Sequence, residues 1–373
     1  MYKIASFTSL NQNEYLDIHS LIKSDSQGFF IYNRAIKIPY NIQKIVDGKL
    51  QSKSEQARLP NLLVAKVKSA KVIGKGAVLS NNVVYEESLQ NWITASNCFD
   101  NKKFIENKYS LKQTGETWSL KDDTSDAHGV DVENAILLAT ASDDEFSHFI
   151  FESLSKLSTL DKSEYVKYHF IINENKIYQK EILVTFGISE DKIIIKKTNS
   201  IINCKNLVFI QPPANYNHWI TPAAVNFLRR KFTPEVVSKP QGGYFIHKKD
   251  EGNGRTLLSN SSVVEYFCHD NGVKKLETND TQINSHSRII STAKILIGEY
   301  RTGMSLAFLA NKEAKVINLQ SPTFFRNFNH FIAAVVGFKT ISIVGSLKND
   351  DDKKPNAEFS IRPIEAIESL EAL

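Results

Sequence analysis

The chain has 373 residues, of which 42% are hydrophobic and 23% are charged, and its formal net charge is +5. These proportions are typical of a globular protein with two or three domains, and the mixed charges disfavour a dedicated nucleic-acid binder. Cys98, Cys204 and Cys268 are far apart and show no CxxC spacing, so neither a disulfide framework nor a zinc site is indicated.

The first residues carry no secretory signal, and no stretch approaches the roughly 20 apolar residues that span a bilayer. We therefore expect a cytoplasmic protein. Peripheral association with the inner face of the cell membrane and a homo-oligomeric state both stay open.

Short apolar runs occupy the first part of the chain. Leu62 to Val67, Ala70 to Ile73, Ala77 to Leu79 and Val83 to Tyr85 are separated by turn residues, which predicts antiparallel strands. We assign residues 1–98 to a small β-rich amino-terminal region. Residues 99–132 are rich in Lys, Asp, Ser and Gly and are predicted to be a linker.

From residue 133 onward, strands alternate with helices, which is the signature of parallel sheets covered by helices. The predicted strands lie near 135–138, 168–172, 193–195, 207–210, 244–247, 273–276, 295–298, 316–319 and 339–344, and the predicted helices near 147–160, 176–186, 222–231, 259–269, 281–293 and 328–336. We expect an α/β fold with two Rossmann-like lobes facing a cleft. The lobes are residues 133–215 and 216–346, with residues 347–373 packing back on the first.

His148 and Glu152 lie four residues apart in the first predicted helix of the first lobe, so they project from one face of it. The residues around them are mostly apolar. An imidazole beside a carboxylate at a strand-to-helix edge suits general-base chemistry. The alternative is a helix-capping histidine followed by a glutamate that faces solvent.

The run from Ile295 to Ser305 reads as a buried strand, a glycine turn and a short helix. Ligands of open α/β sheets bind outside the carboxyl ends of the strands, where a helix amino end can accept a phosphate. Glu299 is the right type to bind ribose hydroxyls, and Arg301, Thr302 and Gly303 are candidates for phosphate contacts. The alternative is an ordinary connection without a ligand.

Arg255 and Asn260 come between a predicted strand and helix of the second lobe. A guanidinium beside a helix amino end can bind two phosphate oxygens at once, so both residues are candidate donor-binding residues. No DxD pair follows a strand, and we expect no metal requirement and no cofactor other than a nucleotide-sugar co-substrate. Gly252-Asn253-Gly254 lacks the third glycine of a dinucleotide fingerprint, which disfavours NAD.

Three blocks of the sequence resemble glycosyltransferase family 61, the bacterial surface-polysaccharide type. Asn61 to Leu89 looks like its β-rich lead-in. FSHFIFESLSKL, residues 146–157, is similar to its HWxxDxLPRL block, with His148 at the His and Glu152 in place of Asp. In residues 244–319, Arg255 and Asn260 stand where RxxxN is expected, and residues 298–306 stand where GxHGAGLTN is expected.

This resemblance implies a GT-B architecture and metal-independent, inverting transfer of a sugar. The donor would be a nucleotide-sugar bound mainly by the second lobe, and the acceptor a glycan or glycolipid on the first lobe. Capsule or cell-surface polysaccharide synthesis is the implied process. No nucleic-acid partner is expected.

The glycine motif departs from the family pattern. Tyr300 replaces the His, Arg301 replaces a Gly, and the Asn is absent. A bulky cation where glycine allows close backbone approach would change how the diphosphate sits. A donor other than the usual UDP-sugar, or a loss of activity, therefore stays open. Two other functions stay open as well: a sugar-nucleotide epimerase or pyruvyl transferase, and a non-catalytic glycan-binding or scaffold subunit.

Overall fold

The computed structural model describes residues 2–7, 13–14, 17–23, 25–89, 102–115, 117–121, 129–174, 177–216, 218–233, 240–248, 258–278, 283–300, 302–348, 357–371 and 373. The protein has a mixed α/β fold with parallel and antiparallel sheets. It divides into two compact units. The first unit comprises Met1–Ile36 and Leu59–Asn215, and the second comprises Lys37–Arg58 and Tyr216–Leu373.

The strands are listed here in chain order. They are β1 (Lys3–Ala5), β2 (Gly28–Asn33), β3 (Ile36–Val46), β4 (Lys49–Leu59), β5 (Leu62–Ile73), β6 (Ala77–Ser80), β7 (Val83–Tyr85), β8 (Leu111–Thr114), β9 (Thr117–Leu120), β10 (Val130–Leu137), β11 (His169–Asn173), β12 (Ile193–Lys196), β13 (Ile202–Ile210), β14 (Ala214–Asn215), β15 (Trp219–Ile220), β16 (Gly243–Lys248), β17 (Val273–Thr278), β18 (Ile295–Glu299), β19 (Lys315–Gln320), β20 (Lys339–Val344), β21 (Ser346–Leu347) and β22 (Phe359–Ser360).

The α-helices are listed in the same way. They are α1 (Ile18–Lys23), α2 (Lys102–Tyr109), α3 (Phe146–His148), α4 (Lys162–Tyr165), α5 (Ile177–Thr185), α6 (Pro222–Phe232), α7 (Ser261–Asp270), α8 (Ile283–Thr292), α9 (Thr302–Ser305), α10 (Phe328–Val336) and α11 (Pro363–Glu368). A π turn, Phe149–Ser153, and a 3-10 segment, Leu154–Thr159, continue α3. We call residues 146–159 the site helix. Shorter 3-10 segments are Glu86–Leu89, Glu190–Lys192 and Leu306–Leu309.

The first unit is built on a sheet in the order β1-β7-β6-β5-β13-β10-β11-β12, with β2 also paired to β5. Its parallel part, β12-β11-β10-β13, has the order 3-2-1-4 counted along the chain. In such a sheet the order in which strands are added reverses between the first and fourth strands, and ligands bind at that point outside the carboxyl ends. Here that point lies between β10 and β13. The loop that follows β10, residues 138–145, leads directly into the site helix.

The second unit is built on a sheet in the order β17-β16-β18-β19-β20-β3-β4. Its parallel strands β16 to β20 have the order 2-1-3-4-5, another doubly wound pattern, with its switch point between β16 and β18. Strands β18 and β19 are apolar along most of their length because a parallel strand is buried on both faces.

The observed units differ from the predicted domain boundaries at the amino-terminal region. Strand β5 pairs with β13, so much of residues 1–98 belongs to the sheet of the first unit rather than to a separate region. Strands β3 and β4 instead extend the sheet of the second unit, with β3 parallel to β20. Pairing between strands so far apart in the chain leaves no local sequence signal, which is why the boundary was placed wrongly.

Two other segments also differ from prediction. Part of the predicted linker, residues 99–132, forms α2 and the β8-β9 hairpin, because Ile105, Tyr109 and Leu111 are buried in an apolar cluster. The tail, residues 347–373, was expected to pack on the first lobe, but its described part belongs to the second unit. Ile361 and Ala366 pack in the core of the second unit.

The turn between β5 and β6 joins α2 to the first sheet. Gly74 has φ +51°, and a Cβ there would lie 2.2 Å from the Cα of Tyr109. The Lys75 amide donates to the Lys108 carbonyl at 2.8 Å. A Cβ on Gly76 would lie 3.1 Å from the Ala139 carbonyl oxygen, in the loop before the site helix. Glycine is therefore required here for close backbone packing as well as for its positive φ.

We predict that Gly74→Ala destabilises the protein by more than Gly115→Ala. Both glycines have positive φ, where a Cβ costs about 1–2 kcal/mol, but nothing lies within 4 Å of a Cβ at Gly115. The clash with Tyr109 should add about 1–3 kcal/mol. Urea unfolding midpoints of the two variants measure the difference. Equal losses would contradict the close packing of this turn against α2.

Candidate active site

The site helix follows the carboxyl end of β10 and is buried along most of its length. Phe149, Ile150, Phe151, Leu154 and Leu157 are all buried. Its polar residues Ser147, Ser153 and Ser155 are buried as well, so the protein encloses the helix. Any polar side chain on it must therefore find its partners inside the protein rather than in water.

His148 and Glu152 are such polar side chains, and they contact each other. Nδ1 of His148 lies 2.9 Å from Oε2 of Glu152. Glu152 is 0% exposed and His148 is 7% exposed. The alternative of a solvent-facing glutamate after a capping histidine is therefore wrong. The structure brings the two predicted catalytic residues together as a buried pair.

The backbone around Glu152 is a π turn rather than a regular α-helix. The amide of Leu154 donates to the carbonyls of Phe149 and Ile150, so the helix widens there. Single π turns within helices recur at functional sites. This one is framed by His148 before it and by the 3-10 segment after it.

The ionisation of His148 is set by opposing effects. Burial lowers its pKa, whereas the charge and hydrogen bond of Glu152 raise it, with smaller contributions from Glu145 and Asp144, and the pKa is raised overall. In the neutral ring the carboxylate favours the tautomer with the proton on Nδ1 and the lone pair on Nε2. The pair therefore has the chemistry of a general base whose protonated form is stabilised by a neighbouring carboxylate.

A second buried polar group lies beside the pair, and the sequence did not predict it. Asp143 is 1% exposed. Its carboxylate accepts from the Thr140 amide at 3.1 Å and from Nδ2 of Asn173 at 3.1 Å for each oxygen. Nδ2 of Asn173 also reaches the Thr140 carbonyl, and the Thr140 hydroxyl lies 3.2 Å from that of Ser153. This network ties the loop after β10 to the end of β11 and to the site helix.

Lys156 is the third buried charged residue of the site helix. Its Nζ donates to the carbonyls of Leu137, Leu138 and Ala139 at 3.2, 3.0 and 3.2 Å, and the side chain is fully buried. Burial lowers the pKa of Lys156 to about 7, against the raising effects of Asp143 and Glu152. The spacing of four residues between Glu152 and Lys156 places both on one side of the helix, and this is the signal from which the sequence could have predicted the role of Lys156.

In the second unit, the glycine turn follows β18, which is one of the two strands at the switch point of the sheet. A Cβ on Gly303 would lie 2.9 Å from Cγ2 of Ile246 and 3.0 Å from Oγ1 of Thr278, and one on Gly298 would lie 2.9 Å from the Ile246 carbonyl. Both glycines are thus required for packing against neighbouring strands. Arg255 and Arg301 lie outside the described residues, as does the side chain of Thr302.

Asn260 and Glu299 are both engaged with the protein itself. Nδ2 of Asn260 donates to the Ile361 carbonyl at 2.7 Å, and the Ile361 amide donates back at 3.3 Å. Asn260 therefore anchors the carboxyl-terminal segment, and its contact with a phosphate stays a prediction. Oε2 of Glu299 accepts from the Leu258 amide at 3.5 Å, at the end of β18.

A cavity of about 600 Å³ lies within the second unit, beside α7 and the end of β16. Its lining includes His247, Ser259, Ser262, Glu265 and Lys275. Hydroxyl, imidazole and charged groups of this kind can bind ribose and phosphate oxygens, and the volume is within the range of small-molecule sites. The residues that the structure describes contain no group of three or more His, Cys, Asp and Glu placed to hold a metal ion.

The chain matches no model of a protein family and no curated protein. Within the part of the chain that the structure describes, the helices are too short or too polar to cross a bilayer.

We predict that Glu152→Gln lowers the pKa of His148, because burial then acts without the opposing carboxylate. Titration of the imidazole by NMR measures the change. Since the folded-state pKa is raised, the pair stabilises the fold below the ordinary His pKa of about 6.5, and this contribution is lost as pH rises through the folded value. Glu152→Gln should remove that pH dependence.

Glu145→Gln is the matched control for this titration. It removes a carboxylate that also raises the pKa of His148 but ranks after Glu152 in its effect. Its shift should have the same direction and a smaller size. An unchanged pKa in Glu152→Gln would show that the two side chains do not interact in solution.

Proposed function

We propose that the protein is a glycosyltransferase that moves a sugar from a nucleotide-sugar to a glycan acceptor, with inversion and without a metal ion. The observation that carries this proposal is the buried His148–Glu152 pair at the carboxyl end of a parallel sheet. That position is where open α/β sheets bind their ligands. An inverting transfer needs one base, and this pair has the required chemistry.

In the proposed mechanism the acceptor hydroxyl gives its proton to Nε2 of His148. Because Glu152 is fully buried, we assign it the role of orienting the ring and stabilising the imidazolium. The acceptor oxygen forms a bond to the anomeric carbon as the bond from that carbon to the diphosphate breaks. The leaving nucleoside diphosphate keeps the electron pair.

The second unit is proposed to bind the donor. Its switch point between β16 and β18 and its polar cavity support this assignment. Arg255 and Arg301 would neutralise the diphosphate as negative charge develops on it, in place of a divalent cation. Glu299 would bind the ribose, and the segment Arg301-Thr302-Gly303 would meet the phosphates.

The finer architecture we propose is GT-B, with the acceptor and the base on the first unit and the donor on the second. The doubly wound strand orders of the two sheets support it. The resemblance to glycosyltransferase family 61 suggests synthesis of capsule or cell-surface polysaccharide in the cytoplasm. A peripheral position at the membrane would suit a glycolipid acceptor.

We predict that one of four nucleotides, the diphosphates UDP, GDP and TDP or the monophosphate CMP, raises the melting temperature of the protein. A ligand at 100 times its Kd adds about 2.7 kcal/mol to the unfolding free energy by mass action. Arg255→Ala should remove most of this shift, whereas Arg230→Ala, at an exposed position on α6, should retain it. No shift with any nucleotide would contradict the donor assignment.

We predict that His148→Ala and Glu152→Gln lower sugar transfer by about 10²–10⁴-fold, the usual contribution of a general base. The nucleotide-induced melting shift should be unchanged, because the base lies in the other unit. The substrates are sugar conjugates of the nucleotide that raises the melting temperature. Transfer is measured as the release of that nucleotide in the presence of an acceptor.

Glu181→Gln and Glu190→Gln provide the control for transfer, since both carboxylates are exposed and belong to the same unit as the pair. They should keep near wild-type turnover. Donor isomerisation without an acceptor would instead indicate an epimerase. Glycan binding with no turnover in the wild type would indicate a non-catalytic subunit.

A further inference from the structure

Lys156 has an unusual environment for a charged residue. It is 1% exposed, and each of its three N–H groups has a backbone carbonyl to donate to, at Leu137, Leu138 and Ala139. An ammonium group has three donors and no acceptor, so this arrangement fits its protonated form. The charge is thus held by the carbonyl dipoles at the end of β10.

These three carbonyls mark the point where the chain leaves β10 for the site helix. His148, Glu152 and Lys156 are spaced at intervals of four residues, and they therefore lie along one side of that helix. Lys156 ties the far end of the helix back to the loop from which the helix starts. Its side chain bridges residues 17 to 19 positions apart in the sequence.

The charged groups that act on Lys156 and His148 are acidic, and one of them, Asp144, is itself paired with Lys75 at 3.4 Å. Asp143, from the loop, and Glu152, from the helix, act on Lys156, whereas Asp144 and Glu145 act on His148 together with Glu152. Burial raises the pKa of Tyr109, from α2, and the nearby charges of Glu152 and Asp143 raise it further. Lys156 is therefore placed to hold the helix and, through its charge, to counter the buried carboxylates.

We propose that Lys156 is a positioning residue that holds His148 and Glu152 in their mutual contact. It does so by fixing the site helix against the carboxyl end of β10. The inference rests on the proposed function for the catalytic role of the pair, but the contact itself can be tested without any substrate.

The chain offers a matched control. Lys196 is also fully buried, and its Nζ also donates to three backbone carbonyls, those of Gly74, Lys197 and Thr198. Burial likewise lowers the pKa of Lys196, to about 8. It lies in the same unit, at the end of β12, and none of its three carbonyl partners belongs to β10 or the site helix. Because Lys196 resembles Lys156 in burial and hydrogen bonding, its replacement distinguishes a general effect on the fold from an effect on the His148–Glu152 pair.

The experiment is NMR titration of His148 in the full chain, comparing Lys156→Met, Lys156→Arg and Lys196→Met with the wild type. The His148 signal is assigned by its loss in His148→Gln. We expect its pKa to fall in Lys156→Met, since the contact with Glu152 is lost while burial remains. Lys156→Arg, which keeps the charge and the donors, should restore the wild-type value, and Lys196→Met should not change it.

Other outcomes would overturn the proposal. A rise in the pKa of His148 in Lys156→Met would mean that the lysine acts on the ring only through its charge. No change would mean that it stabilises the fold as Lys196 does. If Lys156→Met does not fold, Lys156→Arg is compared with the wild type alone. A pKa of His148 in Lys156→Arg that differs from the wild-type value then decides against the proposal.

Turnover provides the second readout. In Lys156→Met, kcat should fall on the order of 100-fold with little change in KM, because a misplaced catalytic group affects the reacting geometry rather than donor binding. Lys196→Met should keep its kcat. If the pKa of His148 shifts as expected but no nucleotide-sugar supports transfer, the positioning role stands and the proposed function fails.

Discussion

The structure of the first unit depends on hydrogen-bonded partners for the charged groups that are buried on the site helix. Burying an isolated carboxylate or ammonium is very unfavourable, and such a group persists only with hydrogen-bonded partners. The site helix carries both kinds at 0–1% exposure, Glu152 with His148 and Lys156 with the carbonyls of β10. Apolar residues would fill the same volume without this requirement, so the polar set is hard to explain by stability alone.

The Thr140–Asp143–Asn173 network extends this compensation from the helix to the sheet. Asp143 receives the Thr140 amide and both contacts from Asn173, at the ends of adjacent parallel strands. These hydrogen bonds restrain the residues that make them, because each residue loses a partner if another moves. The loop before His148 is therefore fixed by side chains on one side and by Lys156 on the other, which is the preorganisation that a general base needs.

Local patterns in the sequence predicted the elements better than their assembly. Helix α10 and strand β20 were predicted with their observed bounds, since apolar periodicity and Gly337 at the helix end are local signals. Glu152 illustrates the limit, because spacing placed it beside His148 but could not decide whether the helix was enclosed. The β3-β4 hairpin carries a recognisable Asp47-Gly48 turn with φ of 50° and 73°, yet nothing local shows that it joins the second sheet.

The glycine turn of the second unit shows how fold and function can be separated within one motif. Gly298 and Gly303 stand where the resembled motif has glycine, and close contacts with β16 and β17 explain both of them. Tyr300, at the position of the motif's histidine, is buried, and burial raises its pKa well above the ordinary value, which removes it as an acid or base. The residues of this turn that packing explains therefore carry no information about a ligand. In the proposed function, Arg301 and Thr302 would contribute to donor specificity, since the sequence departs from the motif at both positions.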